Sequence, residues 1–166
     1  MRLTRRRALP EDLRSRVSLR RGERVLALTG GGERALVATD RALHLPDGRA
    51  VPWEHIDRAR WSEEGFTFTE EGYGRRVYDV EEPGRLAEVV YERVTATIVV
   101  SRRFSLEGRE GEEDGGAGFR LVARRPPGGA DITWQVHVDE GVDPKDPGVA
   151  ARASAALISL REQMGV

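Results

Sequence analysis

Between Glu23 and Val80 the apolar positions come in short runs broken by glycine, aspartate and proline. Arg24–Thr29 is nearly all apolar, as a strand covered on both faces would be. Gly30-Gly31-Gly32 interrupts it, Ala35–Thr39 resumes, and Asp40-Arg41 turns the chain into Ala42–Leu45. Asp47-Gly48 is a hairpin signal. Arg49–Trp53 then leads to Ile56–Ser62, in which Ala59 and Trp61 share a face. Phe66 and Phe68 alternate with Thr67 and Thr69, which predicts a half-buried strand. Turns at Glu64-Gly65 and Glu71-Gly72-Tyr73-Gly74 flank it, and Arg76–Val80 closes the series. About seven strands over about sixty residues is the spacing of a small barrel or sandwich.

The period then changes. Pro83-Gly84 opens a helix in which Leu86, Val89, Val90 and Val94 recur at helical spacing. Thr95–Val100 is β-branched and fits either a last buried turn or a new strand. Phe104 and Leu106 lead into an acidic, glycine-rich run, Glu107–Gly118, that reads as a hairpin loop. Phe119, Leu121 and Ala123 alternate with Arg120, Val122 and Arg124 up to a turn at Pro126-Pro127-Gly128-Gly129. Ile132, Trp134, Val136 and Val138 form the most regular alternation in the chain. Asp146-Pro147 is an N-cap and first-turn pair for a closing helix, with Val149, Ala153, Leu157, Leu160 and Met164 on one side. Ahead of the strands, Leu9, Leu13 and Val17 share a face of a short helix beginning near Pro10.

The order of strands and helix, together with local wording, resembles the bacterial pleckstrin-homology-like (PH-like and GRAM-like) barrel. Leu36-Val37-Ala38-Thr39-Asp40-Arg41-Ala42-Leu43 ends a strand in a Thr-Asp-Arg turn, and Pro52-Trp53-Glu54-His55-Ile56 follows one hairpin later. Asp40 is placed to cap the turn with its side chain, and Trp53 and Ile56 to plug a small barrel. The resemblance covers residues 23–95. The whole chain is also similar to proteins of high-GC Gram-positive bacteria that carry a C-terminal strand–hairpin–helix extension. The fold so implied is α+β: a PH-like seven-stranded antiparallel barrel closed by a helix, plus a C-terminal antiparallel β-hairpin and helix. Residues 1–22 form a basic arm with a short helix, 23–95 the barrel and its helix, and 96–166 a layer packed on that helix. Lipid-binding members of the family carry a basic first hairpin. Gly30-Gly31-Gly32-Glu33-Arg34 has one basic residue, so phosphoinositide recognition is not expected.

Composition narrows the chemistry. The 166 residues contain no cysteine, which excludes disulfides, thiolate catalysis and Cys-ligated zinc. Acidic and basic residues nearly balance, at a net charge of −1, so no whole-molecule field for nucleic acid is implied. Lys145 is the only lysine among 27 basic residues, the composition expected of a GC-rich genome. The basic start has no apolar stretch behind it, and no run approaches a membrane span, so a cytoplasmic location is expected.

Candidate sites are few. Over residues 1–24 nine arginines face only Glu11, Asp12 and Glu23, and Arg2, Arg5, Arg6 and Arg7 are the candidate electrostatic contacts to an anionic surface. Gly30–Gly32 offers backbone N–H groups to a phosphate but lacks the lysine and helix of a phosphate loop. His44, alternating with Leu43 and Leu45, reads as a surface residue. His137 falls on the polar face of its strand, and His55 follows Glu54. Asp139, Glu140, Asp143 and Asp146 could hold calcium, although the prolines favour a turn and a helix cap. Glu63-Glu64 and Glu70-Glu71 flank turns and are expected in water. Trp53, Trp61 and Trp134 are core positions that could also line a pocket. With no catalytic residue, metal site or cofactor indicated, the expected function is a non-catalytic protein-interaction or binding module, with an unidentified protein or a second copy as partner. Electrostatic docking to nucleic acid or anionic membrane through the arm, and small-molecule binding, are the alternatives. Nucleic acid and membrane are the weaker partners.

Overall fold

In a computed structural model, residues 9–107 and 116–166 are described. Their contacts divide the chain into two units. The first holds the described residues through Thr97 together with Pro126–Ala130, and the second holds the rest.

The first unit begins with a one-turn helix, α1 (Glu11–Arg14), followed by a meander of four strands: β1 (Val25–Thr29), β2 (Leu36–Thr39), β3 (Ala42–His44) and β4 (Ala50–Pro52). Three more strands, β5 (Ile56–Ser62), β6 (Gly65–Glu70) and β7 (Gly74–Tyr78), form a separate antiparallel sheet. The single seven-stranded barrel expected from the sequence is therefore incorrect. The seven strands lie in sheets of four and three, with no closed barrel. The break has a local cause. β4 ends at Pro52, which has no N–H to offer a neighbour, and Trp53–His55 winds into a 3₁₀ turn before β5 starts. β5 carries its own bulge between Asp57 and Arg60, where Arg58 takes a φ of 51°.

Helix α2 (Arg85–Ala96) packs against β1, β2, β5 and the Trp53–His55 turn. Leu86, Val89, Val90 and Val94 are its buried residues, as their spacing predicts. They join Ala27, Leu36, Ala38, Leu43, Val51, Trp53, Ile56, Phe66 and Phe68 in the main core. Trp61 stacks on Phe66 with centroids 4.2 Å apart at the edge of that core. The opposite face of the first sheet is covered too. Leu9, Leu13 and Val17 of the arm pack with Ala35 and Val37, so all four residues of β2 are buried.

In the second unit, β8 (Ile98–Ser105), β9 (Gly118–Arg124) and β10 (Thr133–Val138) form a three-stranded antiparallel meander with β9 at its centre. Thr95–Val100, which fitted either a last helical turn or a new strand, divides between the end of α2 and the start of β8. Helix α3 (Pro147–Met164) packs on β9, and Ala153, Ala156 and Leu160 meet Phe104, Phe119 and Leu121. Asp146 caps α3, its Oδ1 accepting the Gly148 N–H at 2.8 Å and the Val149 N–H at 3.4 Å. Asp146→Ala is expected to cost about 1 kcal/mol of stability, read as a lower urea midpoint at unchanged slope. Among the described residues, no helix is long and apolar enough to cross a membrane.

Candidate functional site

The sheet register determines what the outer face of β3 and β4 presents. His44 stands opposite Val37 on one side and Ala50 on the other, while Ala42 stands opposite Pro52. Ala42, His44, Ala50 and Pro52 therefore share the face that carries Val37, away from the main core. The arm covers this face over β1 and β2. Over β3 and β4 a cleft of about 310 Å³ remains, floored by those four residues. Ser18, Arg20 and Glu23 line it from the arm, and Arg41, Glu54 and the Pro126-Pro127 turn complete its wall.

His44 is only 2% exposed, which corrects its reading as a surface residue. Alternation placed it on the correct face, but the arm turns that face into an interior. Its Nε2 lies 2.9 Å from Oε1 of Glu23, whose side chain is 3% exposed. The same Oε1 accepts the Thr39 hydroxyl at 2.5 Å, and Oε2 accepts the Arg20 N–H at 2.8 Å. Thr39 in turn accepts the N–H groups of Arg41 and Ala42 at 3.1 and 3.0 Å. The tight turn is thus capped by Thr39 rather than by Asp40, whose carboxylate instead accepts the Arg24 N–H at 2.8 Å. The Thr39 carbonyl accepts the Trp53 indole N–H at 2.9 Å, which ties the cleft floor to the main core.

Burial pushes the Glu23 carboxyl upward, but hydrogen bonds from Thr39, His44 and the Arg20 backbone outweigh it and hold the group below its ordinary value of 4.5. Glu23 is therefore a carboxylate at neutral pH and requires a proton on Nε2 of His44. In the neutral ring the Nδ1 lone pair is then an acceptor. Nδ1 is buried and has no hydrogen-bond partner among the described residues. The arrangement is not a nucleophilic triad. The Thr39 proton goes to the carboxylate rather than to the imidazole, and both of its lone pairs serve backbone N–H groups. Arg20 and Arg41 form no ion pair among the described residues, whereas Glu54 adds a carboxylate to the wall. The lining of the cleft thus carries both cations and carboxylates.

The pH dependence follows from Glu23. A carboxyl with a depressed folded pKa stabilises the native state above its unfolded value, and that contribution is lost as pH falls through the lower folded value. Urea midpoints are expected to drop as pH falls below about 4.5. Glu23→Gln should flatten this part of the profile, and an unchanged slope would contradict the assignment.

The other sequence candidates fall elsewhere. Arg2, Arg5, Arg6 and Arg7 lie outside the described residues, as does most of the Glu107–Gly118 run. Gly30 and Gly31 line a second cavity of about 430 Å³ with Asp79, Glu81 and Glu82. Those carboxylates oppose a phosphate. His55 is half exposed, 3.9 Å from Glu71, and His137 lies 3.3 Å from Gln135. The calcium candidates are dispersed. Asp146 caps α3, Asp143 accepts the Lys145 N–H, and Asp139 pairs with Arg103. Among the described residues no group of three or more such ligands could hold a metal. Glu70, expected in water, is buried and bound by both arms of Arg49 at 2.7 and 2.5 Å and by Arg76 at 3.3 Å. The Arg49 guanidinium sits 4.4 Å from the Tyr73 ring centroid, and its hydrogen bonds to Glu70 raise its pKa. These groups satisfy one another and brace the turn between β6 and β7.

The Glu23–His44 pair was missed in the sequence because its members are 21 residues apart. The one available signal was the coincidence of an apolar arm stripe with a strand too apolar for a sheet wet on one side. No family model, curated protein or solved structure matches the chain.

Proposed function

We propose that the chain is a non-catalytic binding module that takes a small amino- or hydroxy-carboxylate in the cleft over β3 and β4. The observation that carries this reading is the cleft over the His44 ring, which Glu23 fixes through Nε2 and whose Nδ1 is buried without a hydrogen-bond partner among the described residues. A buried acceptor left unmatched costs about 1–3 kcal/mol. A ligand polar group that displaces the cover over Nδ1 recovers that loss. Arg20 and Arg41, which line the same cleft, suit a ligand carboxylate. The proline and alanine floor is rigid and apolar, as small-ligand sites tend to be.

A thermal-shift panel of hydroxy acids and amino acids, such as lactate, malate, serine and glutamate, tests this. A binder present at a hundred times its dissociation constant should add about 2.7 kcal/mol of stability to the wild type. The gain should shrink in Arg41→Ala, whose own fold loses little because the side chain is exposed. A flat panel, or equal gains in both proteins, would overturn the proposal.

A further inference from the structure

We infer that the outer edge of β10 pairs antiparallel with the same strand of a second copy, joining two three-stranded sheets into one of six. An open strand edge is a template for another chain unless charge, proline, a bulge or a covering element blocks it. The other edges are blocked in these ways. β1 has a bulge at its start and α2 packed against it. β4 is three residues long and ends in Pro52. β5 is bulged beside Arg58, β7 carries Arg75 and Arg76, and β8 carries Arg102 and Arg103 with a bulge near Val100. Among the described residues, the outer edge of β10 carries none of these features. Its six residues, Thr-Trp-Gln-Val-His-Val, contain no charge and no proline, and they pair with β9 without a register break.

The sequence of β10 also selects its partner. With a twofold axis at Val136, Trp134 faces Val138 of the second copy, Val136 faces Val136, and Gln135 faces His137. Apolar residues then meet apolar residues on one face and polar ones meet on the other. Moving the axis to Gln135 would instead place Asp131 opposite Asp139, so the charges flanking the strand favour the first register. Val136 is 48% exposed, although its neighbours Trp134 and Val138 join the α3 core. A second copy would extend that apolar stripe across the junction. A six-residue ladder is a small contact, so a reversible dimer that depends on concentration is expected.

The chain has no cysteine, so a single introduced thiol is unique. Under mild oxidation Val136→Cys should form a disulfide-linked dimer in proportion to protein concentration. Val77→Cys, equally exposed on the edge of β7, should not. In sedimentation velocity the wild type should shift toward dimer over two decades of concentration. Val136→Lys, which sets two like charges face to face, should remain monomeric with an unchanged circular dichroism spectrum. If Val136→Lys fails to fold, the thiol pair decides alone. A wild type that stays monomeric throughout, or cross-linking no greater at position 136 than at 77, would overturn the inference.

Discussion

Trp53→Ala is expected to remove about 4 kcal/mol of stability, the largest loss from any single side chain of the first unit. Trp53 is fully buried between Ile56, Phe66 and the helix residues of the main core. Truncation leaves a cavity that two short sheets and one helix cannot close without shifting. It also removes the N–H that Thr39 accepts through its carbonyl, 2.9 Å away. The loss therefore reaches the cleft. Trp53→Phe separates the two effects, because it retains most of the packing and loses only the hydrogen bond. That variant should cost about 1–2 kcal/mol. Urea denaturation of the three proteins gives both values.

Glu23→Ala is expected to cost about 3 kcal/mol, with a smaller loss for Glu23→Gln. The alanine variant removes the acceptor of the buried His44 Nε2–H and of the Arg20 N–H, and leaves the Thr39 hydroxyl only the Ala42 carbonyl at 3.1 Å. Glutamine keeps one oxygen acceptor and loses the charge. The same change should loosen the arm, since Glu23 links the return of the arm to β2 and β3. Amide exchange at Leu13 and Val17 should quicken in Glu23→Ala while α2 stays protected. Equal stability of Glu23→Ala and wild type would show that the carboxylate does not hold the arm.

Local patterns were legible where the cause was local. The limits of β5, the burial stripe of α2 and the Asp146-Pro147 start of α3 all follow from neighbours in sequence. Sheet closure was not legible, because it depends on whether β4 pairs with β5 and β1 with β7. No residue pattern states that, and Pro52 with the 3₁₀ turn at Trp53 decided against it. His44 failed for a related reason. Alternation reports which face a residue takes, not what later covers that face. The stripe of Leu9, Leu13 and Val17 was visible, but its docking place on Val37 was not. Glu70 was misplaced in the same way, because its cations come from β7 and from Arg49, 21 residues earlier.

The protonation of His44 tests the account most directly. Long-range nitrogen–proton correlation of the imidazole at neutral pH should show a proton on Nε2, facing Glu23. Addition of the carboxylate found in the thermal panel should then move the Nδ1 resonance while Nε2 remains bound to Glu23. A proton on Nδ1 with a bare Nε2, or an Nδ1 signal unmoved by that ligand, would contradict the assignment of the cleft.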